Sequence, residues 1–187
     1  MMSVYDDAME RRRLPWRAIG WGFAGAILLL PAVAMQFTQE VNWTASDFVF
    51  AGVLIGLVGL GLEFAARSGS RAYRGGAAIA IGLSFLLVWI NGAVGIIGSE
   101  NEDANLLFLG VIAVAFSGAM IAWFKPNGMA WAMVAAAMAQ VAVPLIASTM
   151  TLQTTDTVWA REVIGVTVIF TLMWLLAAGL FRQAAQR

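Results

Sequence analysis

Polar residues along this chain fall in short clusters. Between them run six long stretches with almost no charge: Ala18–Phe37, Phe48–Ala66, Gly75–Gly98, Leu106–Phe124, Met129–Met150 and Val158–Phe181. A helix needs roughly 20 apolar residues to cross a hydrocarbon layer about 30 Å thick, and each stretch is of that order. Barrel strands would be shorter and would alternate apolar with polar residues, whereas these runs are uniformly apolar. The pattern predicts an all-α polytopic membrane protein with six transmembrane helices in one antiparallel bundle. The domain plan is an N-terminal cytoplasmic segment (1–17), a six-helix transmembrane domain (18–181) and a C-terminal cytoplasmic tail (182–187). No loop exceeds about ten residues, so sequential helices are expected to be antiparallel neighbours.

The clusters between the runs alternate in sign. Arg11, Arg12, Arg13 and Arg17 precede the first run, Arg67, Arg71 and Arg74 separate the second from the third, Lys125 separates the fourth from the fifth, and Arg182 and Arg187 follow the sixth. The other three loops carry Glu40, Asp47, Glu100, Glu102, Asp103 and Asp156, and Arg161 is the only basic residue near them. By the positive-inside rule both termini are cytoplasmic, and the regular alternation supports the count of six. A rival reading makes Ala18–Leu30 a signal-peptide core with cleavage near Ala32-Val33-Ala34. Against it, the preceding segment is long and partly acidic (Asp6, Asp7, Glu10) and apolar residues continue to Phe37. Cleavage would leave five spans with the same orientation.

Composition agrees with the runs: 61% of the 187 residues are hydrophobic and 12% charged, and mean hydropathy is +0.82. Soluble domains average about 45–50% apolar and about 25% charged, so lipid is the expected solvent. Cysteine and histidine are both absent. Disulfides, thiolate metal sites, cysteine nucleophiles, the commonest haem and zinc ligands and the usual base of a serine hydrolase therefore drop out. Net charge is zero and says nothing about nucleic acid; no nucleic-acid partner is expected of a chain that lies in lipid.

Local signals describe packing. Thr44-Ala-Ser-Asp47 reads as a capping box, and Asn105 and Thr155-Asp156 sit where the fourth and sixth helices would begin. Gly52, Gly56 and Gly59 form one smooth face, and Ala132, Ala135, Ala136, Ala139 and Ala142 another, as close helix contacts in lipid require. Pro31 and Pro144 are expected to bend their helices. Trp16, Trp43, Trp123, Trp131 and Trp159 fall near predicted interfaces. Ten methionines read as adaptable packing rather than a Cu(I) site. A faint likeness between Phe50-Ala-Gly52-Val53 with Arg67 and Phe108-Leu-Gly110-Val111 with Lys125 would fit a hairpin duplication, but two helices that both run outside to inside account for it more simply.

A few polar groups remain as candidate binding or pathway residues. Asn91 falls two thirds of the way along the third run, roughly 10 Å below its outer end at about 1.5 Å per residue. An unpaired amide there costs about 1–3 kcal/mol, so it should face the bundle, with Gln140, Ser117 or a carbonyl as partner. Gly92, Gly95 and Gly98 would loosen the backbone beside it. Glu100, Glu102 and Asp103 form the densest part of an acidic outer rim that also holds Glu40, Asp47, Asp156 and Glu162. Glu63 lies near the inner end of the second helix, with Arg67 at i+4 to pair with it. No catalytic set, metal site or cofactor-binding motif emerges, so no cofactor is expected.

The segments MQFTQEVNWTASDF (35–48), FLLVWINGAVGIIGSENEDAN (85–105) and FKPNGMAWAM (124–133) resemble a group of small, uncharacterised bacterial integral membrane proteins. The resemblance covers most of residues 30–145. It implies a multi-pass protein of the bacterial inner membrane and carries no catalytic residues with it. The expected role is non-enzymatic: an accessory or interaction component, or a small homo-oligomer, whose partners are the lipid bilayer, other membrane proteins or itself. The alternative is a transporter or channel for a small solute, ion or proton, with a path lined by Asn91; an intramembrane enzyme is a third reading. A polar cavity reaching Asn91 from the acidic side would favour transport. Asn91 sealed against Gln140 or a carbonyl would favour a structural part.

Overall fold

Each apolar run folds as a helix, and the ends are set by polar residues and by backbone that cannot continue. The computed structural model describes residues 14–98, 101–150 and 160–186. Its helices are α1 (Leu14–Ala34), α2 (Ala45–Ala66), α3 (Arg71–Ala93), α4 (Leu106–Ile121), α5 (Pro126–Met150) and α6 (Arg161–Ala185), with a 3-10 turn at Asp103–Asn105 leading into α4. All six are long and apolar enough to cross a membrane, α4 together with its 3-10 turn. No strand occurs among the described residues. The chain is therefore all-α, as the run pattern predicts.

The α2 start follows the capping signal with a change in detail. Asp47 Oδ2 accepts from the Thr44 backbone N–H at 2.7 Å and from the Thr44 hydroxyl at 2.8 Å. The carboxylate reaches back as a capping box requires, while the hydroxyl serves the carboxylate rather than the helix. Ser70 caps α3, its hydroxyl accepting from Tyr73 N at 3.2 Å, so α3 begins four residues before the predicted Gly75. Pro126 opens α5, where its missing N–H has no partner to lose. The Thr155-Asp156 cap lies outside the described residues.

Two compact units make up the chain, Met1–Gly61 and Leu62–Arg187. In the first, α1 meets the glycine face of α2. A Cβ on Gly59 would lie 2.8 Å from the Trp21 ring, and one on Gly52 would lie 3.5 Å from Leu28. Gly56, between them, has open space. Pairing of Leu28 with Gly52 and of Trp21 with Gly59 makes the two helices antiparallel.

The second unit contains the main core. There α6 packs along both α3 and α5, and α5 packs along α4, whereas α3 and α4 touch only slightly. The expectation that sequential helices are neighbours fails at this step. Close approach decides the pairing. Gly76 lets α3 reach the Ala177 carbonyl and the Phe181 ring of α6, each 3.2 Å from where a Cβ would sit. Gly118 of α4 brings α5 so near that an added Cβ would stand 2.7 Å from that of Ala132. On the alanine face of α5, Ala132 and Ala136 are buried and Ala135 is exposed.

One end of this unit is tied by aromatic residues. Tyr73 donates its hydroxyl to the Phe124 carbonyl at 3.0 Å and packs edge-on against Phe181 with centroids 5.1 Å apart. Phe64 packs edge-on against Phe124 at 5.3 Å. The layer gathers the end of α2, the start of α3, the turn after α4 and the end of α6. Arg67, Arg74, Lys125 and Arg182 are all exposed beside it.

Candidate functional site

Asn91 lies in the last turn of α3, two residues from Ala93 where the helix ends, rather than two thirds of the way along a longer one. The apolar sequence after it leaves the helix because Gly95 and Gly98 adopt φ of +74° and +67°, values that glycine reaches without a Cβ penalty. These glycines turn the chain instead of loosening a helix beside a ligand. Ile96 and Ile97 fold back into the core, 8% and 1% exposed.

The residue holding that turn is Asn105. Its Oδ1 accepts from Ile96 N at 3.0 Å and Ile97 N at 2.9 Å, and its Nδ2 donates to Ile97 O at 3.1 Å. Asn105 occupies the helix-cap position that the sequence assigned to it, yet its side chain makes no cap bond. It is 4% exposed and satisfies loop backbone that lipid could not satisfy. Sequence reasoning assigned it the wrong partner because a cap and a loop latch share one signature: an asparagine ahead of an apolar run.

The Asn91 amide turns onto its own helix. Nδ2 donates to Leu87 O at 2.7 Å, one turn back, while Oδ1 is buried with no partner among the described residues. The expected bond to Gln140 does not form. Both polar atoms of Gln140 lack a partner among the described residues, although the residue is fully buried. Ser117, the other expected partner, is exposed. Three further buried groups are in the same condition, and the sequence reading had not singled out any of them: the hydroxyls of Thr167 and Thr171 and the indole N–H of Trp174. Their spacing of four and three residues on α6 was the available signal, hidden in a helix that reads as uniformly apolar.

Among the described residues the acidic candidates form no cluster. Glu102 folds over the loop it follows, its Cγ 3.0 Å from where a Gly98 Cβ would sit, and Asp103 is exposed in the 3-10 turn. Glu100 and Asp156 lie outside the described residues. Asp47 is engaged in its cap, and Glu162 is exposed in the first turn of α6. Among the described residues no three acidic side chains come together as a metal ion would need. Glu63 is half-buried one turn before the exposed Arg67, near the aromatic layer and far from Asn91 along the helices. Comparison of the chain with protein-family models, curated proteins and solved structures found no match.

Proposed function

We propose that this multi-pass protein is a non-enzymatic component of the bacterial inner membrane that works by binding other membrane proteins or further copies of itself. The observation that carries this reading is the closure of the Asn91 amide onto the Leu87 carbonyl, the arrangement expected of a structural asparagine. The separation of Glu63, near the aromatic layer, from Asn91 at the far end of α3 supports it, since acid–base chemistry needs its groups within hydrogen-bond reach of one substrate. The inner-membrane placement rests on the resemblance to small bacterial membrane proteins. Both termini are assigned to the cytoplasm because Arg67, Arg74, Lys125 and Arg182 gather at one end of the second unit, as the positive-inside rule requires.

Isolation of the intact protein in mild detergent, with native mass measurement, tests the reading. A stoichiometric partner chain or a defined oligomer supports it; a monomer with no companion under every mild condition overturns it. The second reading, a small-solute, ion or proton pathway past Asn91, is favoured by the orphaned Asn91 Oδ1. Asn91→Leu separates the two. It should leave assembly unchanged in the first case and abolish flux into proteoliposomes in the second. An intramembrane enzyme would instead lose a lipid or peptide conversion when Glu63, Asn91 or Glu102 is replaced.

A further inference from the structure

Asn91 Oδ1, Gln140, Thr167, Thr171 and Trp174 are buried polar groups with no partner among the described residues, and they belong to α6 and to the two helices, α3 and α5, that pack along it. On α6, Thr167, Thr171 and Trp174 share one face, since offsets of four and three return to the same side of a helix. α6 lies between α3, which bears Asn91, and α5, which bears Gln140. Heights follow from the contact of Tyr73 with Phe181 and Phe124. At about 1.5 Å per residue, Trp174, Thr171 and Thr167 stand about 10, 15 and 21 Å above that layer, Gln140 about 21 Å and Asn91 about 27 Å. The five groups stand at successive heights from the middle of the unit towards its acidic end.

We infer that these groups converge on a hydrated seam, a binding site for a short file of ordered water inside the second unit. The chemistry selects the occupant. Trp174 only donates, Asn91 Oδ1 only accepts, and Gln140 and the two threonines do both, so the occupant must donate and accept. It must also be uncharged, because the buried polar residues of the described chain are Asn105, Gln140 and Thr167, none of them ionisable, and an ion would sit without a counter-charge. Water is the smallest molecule that meets both conditions, and a buried water commonly takes two to four polar partners. A bare arrangement is the costly alternative, since each orphaned group would carry its full desolvation penalty. The inference holds whether or not any solute crosses the bilayer.

Radiolytic hydroxyl labelling of the full chain in detergent micelles tests it, because radicals formed from an ordered water modify the side chains beside that water. Trp174 and Phe108 are both 0% exposed, and Phe108 belongs to an apolar part of the core. After correction for intrinsic reactivity, Trp174 should label at least about tenfold faster than Phe108, as a side chain next to a held water would. Gln140→Leu should lower the Trp174 rate several-fold by removing a water partner. Thr171→Val provides the same test with a smaller change of shape if the first variant does not fold. Trp174 labelling no faster than Phe108 overturns the seam, as does a Trp174 rate that neither variant alters.

Discussion

At the scale of the residue, Asn105 shows how one amide makes an irregular loop tolerable next to lipid. Three of its hydrogen bonds cover both Ile96 and Ile97, which are themselves buried. Asn105→Ala would leave two buried amides without an acceptor, at about 1–3 kcal/mol each. The expected result is a lower melting temperature in detergent with markedly faster amide exchange at residues 96 and 97; unchanged exchange there would contradict the latch. Asn91 carries less. Its donor bonds its own backbone, so Asn91→Leu should move the melting temperature far less than Asn105→Ala does. The sequence marked both asparagines but ranked them the other way. An amide inside an apolar run stands out to the eye, while one beside acidic residues passes for an ordinary cap.

At the scale of the element, helix existence was legible and helix ends were not. The run Gly75–Gly98 has no polar residue that would stop a helix at Ala93. The stop comes from left-handed backbone at Gly95 and Gly98, which a hydropathy pattern does not register. The turn after α4 behaves similarly: Trp123 and Phe124 take φ of 50° and 55°, ending a helix that the apolar pattern carries to Phe124. Packing faces were better encoded, because small residues at helical spacing have a direct steric meaning. Gly118→Ala places a Cβ 2.7 Å from the Cβ of Ala132 and 3.1 Å from its Cα, so α4 and α5 must separate. A loss of about 1–3 kcal/mol is expected, as in other overpacked cores. Gly110→Ala, on the same helix with nothing within 4 Å, should be neutral or slightly stabilising. Thermal melts of the two variants side by side check the contrast, and Ala132→Gly should restore part of what Gly118→Ala loses.

At the scale of the whole molecule, the alternation of charge yields a topology that can be measured directly, because the chain has no cysteine to create background. Asn127 near Lys125, in the first turn of α5 just past α4, and Asp103 beside Glu102, in the 3-10 turn that leads into α4, are both exposed. With the basic end in the cytoplasm, a membrane-impermeant maleimide should label Asp103→Cys in cells whose outer barrier is opened, and Asn127→Cys only after the inner membrane is broken. The reverse pattern would invert the proposed orientation. The sequence showed the number of spans because that depends on composition summed over many residues. It did not show which helices are partners, since that depends on single close approaches such as Gly76 against Ala177 and Phe181.

That α3 leans on α6 rather than on α4 bears on how the protein is made. The last turn of α6 leaves the ribosome some ninety residues after α3 is complete, an interval on the order of 5–20 s at about 5–20 residues per second. Through that wait the notch at Gly76 has no neighbour to fill it, and α3 must rest in lipid or in the grip of the insertion machinery. A nascent chain halted before Arg161 would therefore be a substrate for quality-control proteolysis even with five spans already threaded, and the final helix acts as the clasp that ends this vulnerability.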